Sequence, residues 1–263
     1  LPPPPPPLTP PPPPTHPPAD IAEIIPHLVT VRKEGDPAVS QAIKMGQKAH
    51  KMILDALNAL TSEDEQAALR VIAADDEVDY DFNAIKHTLA QEIAADPGKV
   101  DAALDLLMVI KYLERIGDHA VNIIESAEEM HDKQLEFSRS AKYELSVMSA
   151  AVGEVMDLAV KAFAENDVQA ASCVEPLEQV VDDLKDELRT RHILRMKKGE
   201  CSIEAGFVWS DLLTNLERAS DHCSNVALCV LDLKKHTLSA GESPVYAFQF
   251  LDNLHRTDFR CPA

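Results

Sequence analysis

Residues 113–122 read LERIGDHAVN, and residues 216–225 read LERASDHCSN. Sliding the chain against itself by 103 residues superposes the two strings without a gap, and Leu, Glu, Arg, Asp, His and Asn coincide at six of ten positions. The same offset lays Ile53 on Met156, Leu60 on Phe163, Val71 on Val174, Val78 on Val181, Leu104 on Phe207 and Leu113 on Leu216. A shared apolar period accounts for those apolar matches, since the core faces of any two helices look alike. It does not account for the polar identities. A duplicated unit does.

The unit is helical. From Pro37 onward apolar residues recur at steps of three and four, as in Ile43, Ile53, Leu54, Leu57 and Leu60, then Leu69, Ile72 and Val78. Breaks at 61–64, 96–98, 133–138, 166–167 and 199–202 predict six helices near 37–60, 65–94, 99–131, 138–165, 168–197 and 203–236. Thr61-Ser62-Glu63-Asp64 offers N-cap residues, and Pro97-Gly98 is a helix break. The expected fold is all-α: two tandem three-helix bundles, a first unit over 37–133 and a second over 134–238, related by a pseudo-two-fold repeat. An irregular N-terminal arm, 1–36, precedes them. Its first 18 residues are nearly all proline and read as an extended linker. Ile21–Val31 is apolar but broken by Pro26, and the tail 239–263, with Gly241 and Pro244, reads as irregular.

Composition narrows the function. The 263 residues carry a net charge of −19, which repels nucleic acid and also free phosphate unless a cation stands between them. Only 5% of residues are aromatic and 8 are glycine, which suits long helices better than hairpins. The five cysteines form no CxxC pair and read as reduced thiols of a cytosolic protein. His222, Cys223, Cys229 and His236 match no common zinc spacing. No apolar run approaches 18 residues, so no membrane span is expected, and no signal peptide is visible. The chain starts at Leu1 rather than Met, which reads as a piece of something longer.

The repeated polar residues suggest chemistry. Glu114 and Asp118 are four apart and lie one above the other on a helix, with Asn122 in the same row; Glu217, Asp221 and Asn225 repeat the row. One helix earlier, Asp75 and Asp79 are matched by Glu178 and Asp182 at the same offset. Two antiparallel helices would set the pairs side by side. Four converging carboxylates repel, and a multivalent cation relieves the repulsion. Oxygen donors without thiolate favour Mg, Mn, Fe or Ca over structural zinc. His119 and His222 sit about 100° round the helix and suit packing or orientation of the carboxylates better than ligation. Arg115 and Arg218 could instead make ion pairs across helices. Glu77 and Asp81 share the spacing but break the repeat register, so they rank lower.

The strings YLERIGDHAVN (112–122) and NLERASDHCSN (215–225) resemble the paired signature of PhoU proteins. The resemblance covers about residues 37–236. It implies two three-helix bundles holding a multinuclear metal cluster, iron foremost with zinc or manganese as alternatives. By that resemblance Glu114, Asp118, Glu217 and Asp221 are the first metal ligands, and Asp75, Asp79, Glu178 and Asp182 the second. It also implies no enzymatic activity, a regulatory role in phosphate transport and phosphate signalling, and a membrane phosphate transporter or a sensor kinase as partner. A cytoplasmic location at the inner face of the plasma membrane follows, and a homodimer is compatible. Phe137-Ser138, Val174-Glu175-Pro176-Leu177-Glu178, Arg191-His192-Ile193, residues 199–207 and residues 211–218 look closer still to the cytoplasmic PhoU-like domain of bacterial sodium/phosphate cotransporters. That makes such a domain the first expectation and a free-standing regulator the alternative.

Two rivals belong to other classes. A carboxylate-bridged metalloenzyme would use a similar bundle, but its usual Glu-x-x-His pairs are missing from these rows, and no Gly-rich phosphate loop or nucleophile elbow is present. A helical adaptor with solvated acidic rows would be indifferent to chelator.

Overall fold

In a computed structural model of the chain, the structure describes residues 36–62 and 64–239. Six helices follow one another: α1 (Pro37–Ser62), α2 (Glu65–Ala95), α3 (Val100–Asp132), α4 (Arg139–Glu165), α5 (Val168–Lys197) and α6 (Ile203–Ser239), with a 3₁₀ turn at Pro97–Lys99 before α3. Every end falls within three residues of the sequence expectation. The proline run, the Ile21–Val31 stretch and the tail beyond Ser239 lie outside the described residues.

Side-chain caps explain the helix limits. Asp64, not Thr61 or Ser62, caps α2, accepting from the backbone of Gln66 at 2.9 Å and Ala67 at 3.2 Å. Asp167 does the same for α5, and Ser138 caps α4. The α5–α6 turn closes on Gly199 at φ +72°. The Gly199 N–H donates to the Met196 carbonyl and the Glu200 N–H to that of Arg195, the double bond of a left-handed C-terminal stop.

Within each unit all three helices touch, α1, α2 and α3 in the first and α4, α5 and α6 in the second. The units join through α3 against α6 and α1 against α4, so α2 and α5 flank a central layer of four helices. Along the α3–α6 seam Tyr112 stacks on His222 at 5.8 Å, and His119 Nδ1 lies 2.9 Å from Asn215 Oδ1. Ascending α3 therefore meets descending α6. Because 112 pairs with 215 and 119 with 222 at the repeat offset, these two contacts are images of each other across a pseudo-two-fold axis. His119 and His222 stack on one another beside that axis, 5.4 Å between ring centres. Their role here is packing.

One continuous apolar core runs through both units, from Ala38 to Val230. Five of the six matched apolar pairs line it or pack against it; the sixth, Leu104 and Phe207, is exposed at 46% and 68%. Leu54, Leu69 and Ile72 are also exposed, because a three-to-four-residue period marks a helix but does not fix how wide its buried stripe is. Cys223 and Cys229, considered above for zinc, are held as neutral thiols, burial pushing each up to about 12.

Candidate metal centre

In each unit the two carboxylate pairs lie close enough to feel one another's charge. In the first unit Asp75 on α2 faces α3 at Gly117: a Cβ on Gly117 would stand 3.3 Å from Asp75 Oδ1. The absence of that Cβ lets the carboxylate lie against the α3 backbone. Burial raises the Asp75 carboxyl to about 6, helped by the charges of Asp79, Asp118, Asp76 and Glu114. Asp118 is also raised, by burial and by Glu114, against the opposing pull of Arg115 and Lys111. In the second unit burial takes Glu178 up to about 7, with Asp182, Glu175, Asp221 and Glu217 adding to it. All eight expected residues therefore sit in two mutually repelling clusters, one between α2 and α3 and one between α5 and α6.

Basic side chains pair with these carboxylates. Lys111 Nζ lies 2.6 Å from Glu114 Oε2, and Arg115 Nη1 lies 3.1 Å from Asp118 Oδ2. Across the axis Lys185 stands between Asp182, at 2.6 Å, and Glu217, at 3.3 Å. As arranged here, no three acidic, histidine or cysteine side chains among the described residues converge closely enough to grip an ion. Arg115 and Arg218 pair along their own helix, Arg218 with Glu217 at 3.9 Å, not across to another as the sequence allowed.

Three residues of the clusters escaped the repeat argument. Lys185 replaces Phe82 of the first unit, Lys111 corresponds to Thr214, and Glu175 corresponds to Ile72. A search for residues shared between units discards all of them. The spacing of Glu175 and Glu178, three apart on one helix, was the signal that could have found the last. Glu77 and Asp81 face elsewhere, toward Lys48 of α1 at 2.9 and 2.8 Å, and raise its ammonium pKa.

The donor set is of the oxygen type that suits a hard cation: clustered carboxylates, two of them pushed toward neutrality. The PhoU domain family matches residues 42–127 and again 145–230, the second match beginning and ending 103 residues after the first. This chain belongs to the PhoU family. A phosphate-specific transport system accessory protein PhoU homolog of Caulobacter vibrioides is 40% identical over 109 residues, 40% of this chain and 47% of the relative, so the alignment spans about half of that protein. Homolog 1 of Thermotoga maritima is 28% identical over 190 residues, 71% of this chain and 81% of the relative. The crystal structure of PhoU from Pseudomonas aeruginosa superposes with a TM-score of 0.69 at 25% identity, covering 75% of this chain and 95% of that one. PhoU from Streptococcus pneumoniae shares the fold, with a TM-score of 0.66 at 22% identity over 75% of this chain and 93% of that one. The relatives are named as accessory proteins and not as enzymes. No helix among the described residues is long and apolar enough to cross a membrane.

Proposed function

We propose that this chain is a metal-dependent accessory regulator of phosphate transport, working on the cytoplasmic side of a membrane phosphate transporter or its sensor kinase. The observation that carries the reading is the pairing of two carboxylate clusters, one per unit, in a member of the PhoU family. Glu114, Asp118, Asp75 and Asp79 would hold cations in the first unit, and Glu217, Asp221, Glu178 and Asp182 in the second. A cation there supplies positive charge that offsets the repulsion and can accept an anion such as phosphate. The chain's own residues set the rest. Helix spacing aligns the carboxylates, Gly117 admits Asp75, and Lys111 and Lys185 keep the clusters neutralised until an ion arrives. Iron heads the candidates, with manganese and zinc behind it.

The accessory-regulator reading stands ahead of the cotransporter domain, because the curated relatives carry the accessory-protein name. The test is elemental analysis of protein purified without a metal-affinity tag, beside the Glu114→Ala/Asp118→Ala/Glu217→Ala/Asp221→Ala variant. Both proteins are also returned to cells lacking their own PhoU, and phosphate uptake is followed. Stoichiometric metal and restored control of uptake in the parent, both lost in the variant, are expected. A metal-free parent that still restores control would remove metal from the reading and leave partner contact as the role of the repeated rows.

A further inference from the structure

The chain carries a net charge of −19, yet residues 189–198, RTRHILRMKK, hold five basic residues and no acidic one. The first unit has nothing like it: the matching residues 86–95 hold only Lys86 and Glu92. Three of the five cations have partners. Arg195 pairs with the buried Glu144, Arg191 pairs with Glu187, and Arg189 donates to the hydroxyls of Ser210 and Thr214. Lys197 and Lys198, at the close of α5, are exposed and make no ion pair with any described residue. Lysines at a helix C-terminus suit the macrodipole, which accounts for the charge but not for the apolar side chains set among it.

Ile193 and Leu194 are 41% and 51% exposed, and Ile203 and Phe207 are 69% and 68% exposed. The contact from Arg189 to Ser210 marks one side of the α5–α6 hairpin. Ile193 lies one turn beyond Arg189, and Phe207 lies one turn before Ser210, so both stand on that side, nearer the hairpin tip. Ile203 extends the row by another turn. Lys197 follows Ile193 and Lys198 follows Leu194, each by four residues and so each on the same ridge. The tip therefore presents four apolar side chains with two unpaired lysines among them. Single exposed apolar residues are ordinary; a contiguous apolar patch rimmed by polar groups marks an interaction site.

We propose that the tip of the α5–α6 hairpin is a docking surface for an anionic lipid bilayer. Ile193, Leu194, Ile203 and Phe207 enter the headgroup boundary, and Lys197 and Lys198 meet lipid phosphates. Apolar side chains and lysines on one surface are the combination that holds a protein on a membrane without crossing it. Over residues 189–207 the five basic residues face only Glu200 and Glu204, a local charge of +3. Screening lets that local charge decide. The motif carboxylates nearest the patch, Asp182 and Glu217, lie roughly 15 Å back along their helices, about two Debye lengths at physiological salt. The described chain ends far away, since Ser239 is roughly 54 Å along α6 from Ile203. An acidic protein would match the lysines, but a bilayer also takes up protruding apolar side chains without a groove shaped to receive them. No residue of either carboxylate cluster takes part, so the inference stands apart from the metal reading.

The experiment is co-sedimentation of the full chain with vesicles, in buffer containing chelator so that no divalent ion bridges protein and lipid. Vesicles of phosphatidylcholine with phosphatidylglycerol are compared with phosphatidylcholine alone, at low and at high salt. The parent should bind the anionic vesicles at low salt, and neither the neutral vesicles nor high salt should retain it. Lys197→Glu/Lys198→Glu should weaken binding on the order of tenfold or more, and Ile203→Ser/Phe207→Ser should do likewise. Val100→Ser/Leu104→Ser, the same change at the matching place in the first unit, should leave binding unchanged. All six positions are exposed, and circular dichroism checks that each variant is folded. Insertion is read in Phe207→Trp. The chain's one tryptophan, Trp209, is buried, so a blue shift on adding anionic vesicles reports position 207. A parent that ignores anionic vesicles would overturn the inference and leave the patch to an acidic protein. Binding undiminished in Lys197→Glu/Lys198→Glu, equally reduced in Val100→Ser/Leu104→Ser, or without a blue shift in Phe207→Trp would overturn it as well.

Discussion

Asp75 and Glu178 occupy equivalent positions and meet the same fate: each is desolvated against the next helix and faces carboxylates from it, reaching about 6 and about 7. A carboxyl raised above its unfolded value binds more protons in the native state than in the unfolded one. Its contribution to stability is therefore complete below the unfolded pKa and disappears as pH climbs through the folded pKa. For the metal-stripped protein this fixes a window. The melting temperature should fall as pH rises from about 5 to about 8, and the fall should shrink in Asp75→Asn/Glu178→Gln. Saturating Mn²⁺ should flatten the profile from above, because bound cations replace the protons. Differential scanning fluorimetry at constant ionic strength reads all three curves. Burial of His192 and His222 lowers their pKa and pulls the other way. The deciding reading is therefore the difference between parent and variant: no difference would show that the carboxylates are solvated, and the adaptor reading would gain.

The helices themselves were legible almost to the residue, because caps and glycine stops act through backbone chemistry that a single side chain declares: Asp64, Asp167 and Gly199 each do so. The four expected pairs were legible for another reason, that the duplication supplied an internal comparison. The same comparison hid what one unit has and the other lacks. Lys185 and Glu175 are cases at the centre, and the corner between α4, α5 and α6 is a larger one. There Arg195 and Glu144 form a buried pair at 2.8 Å, His192 stacks on Trp209 at 5.3 Å, and the Trp209 Nε1–H donates to the Leu188 carbonyl at 3.3 Å. The first unit places Glu92, Gln41, Leu89 and Leu106 at the corresponding positions, so no repeat signal existed. Both partners of the ion pair are more than nine-tenths covered, which gives a clear expectation. Glu144→Ala strands a guanidinium and should cost about 3–5 kcal/mol, whereas Glu144→Leu/Arg195→Met, which removes both charges, should cost far less. Urea denaturation of the two variants decides it; equal losses would mean that packing on Trp209, and not the stranded charge, sets the cost.

At the scale of the molecule, duplication in sequence need not mean two folding bodies. The core is continuous from α1 to α6, and Phe137, in the link between units, packs edge-on against Trp209 of the second. Each unit buries apolar surface that its partner covers, through α3 on α6 and α1 on α4. Neither half can therefore unfold without exposing part of the other's core, and coupling of that kind produces one transition. The seam also carries Tyr112, His119, Asn215 and His222, whose stacking and hydrogen bonds exist only when both units are in place. Burial and the adjacent His119 hold the His222 imidazole below the ordinary histidine range. Calorimetry should then show one peak with matching calorimetric and van't Hoff enthalpies. Leu216→Ala, a deletion at a fully buried site in the second unit, should shift that whole peak downward, with a loss of about 2–5 kcal/mol, and should not split it. Two resolved peaks, with only one of them moved by Leu216→Ala, would mean that the units fold independently. The two carboxylate clusters would then be isolated from each other. A single shifting peak would instead mean that an ion bound between α5 and α6 also stabilises the cluster between α2 and α3, which is what a regulator read by one partner requires.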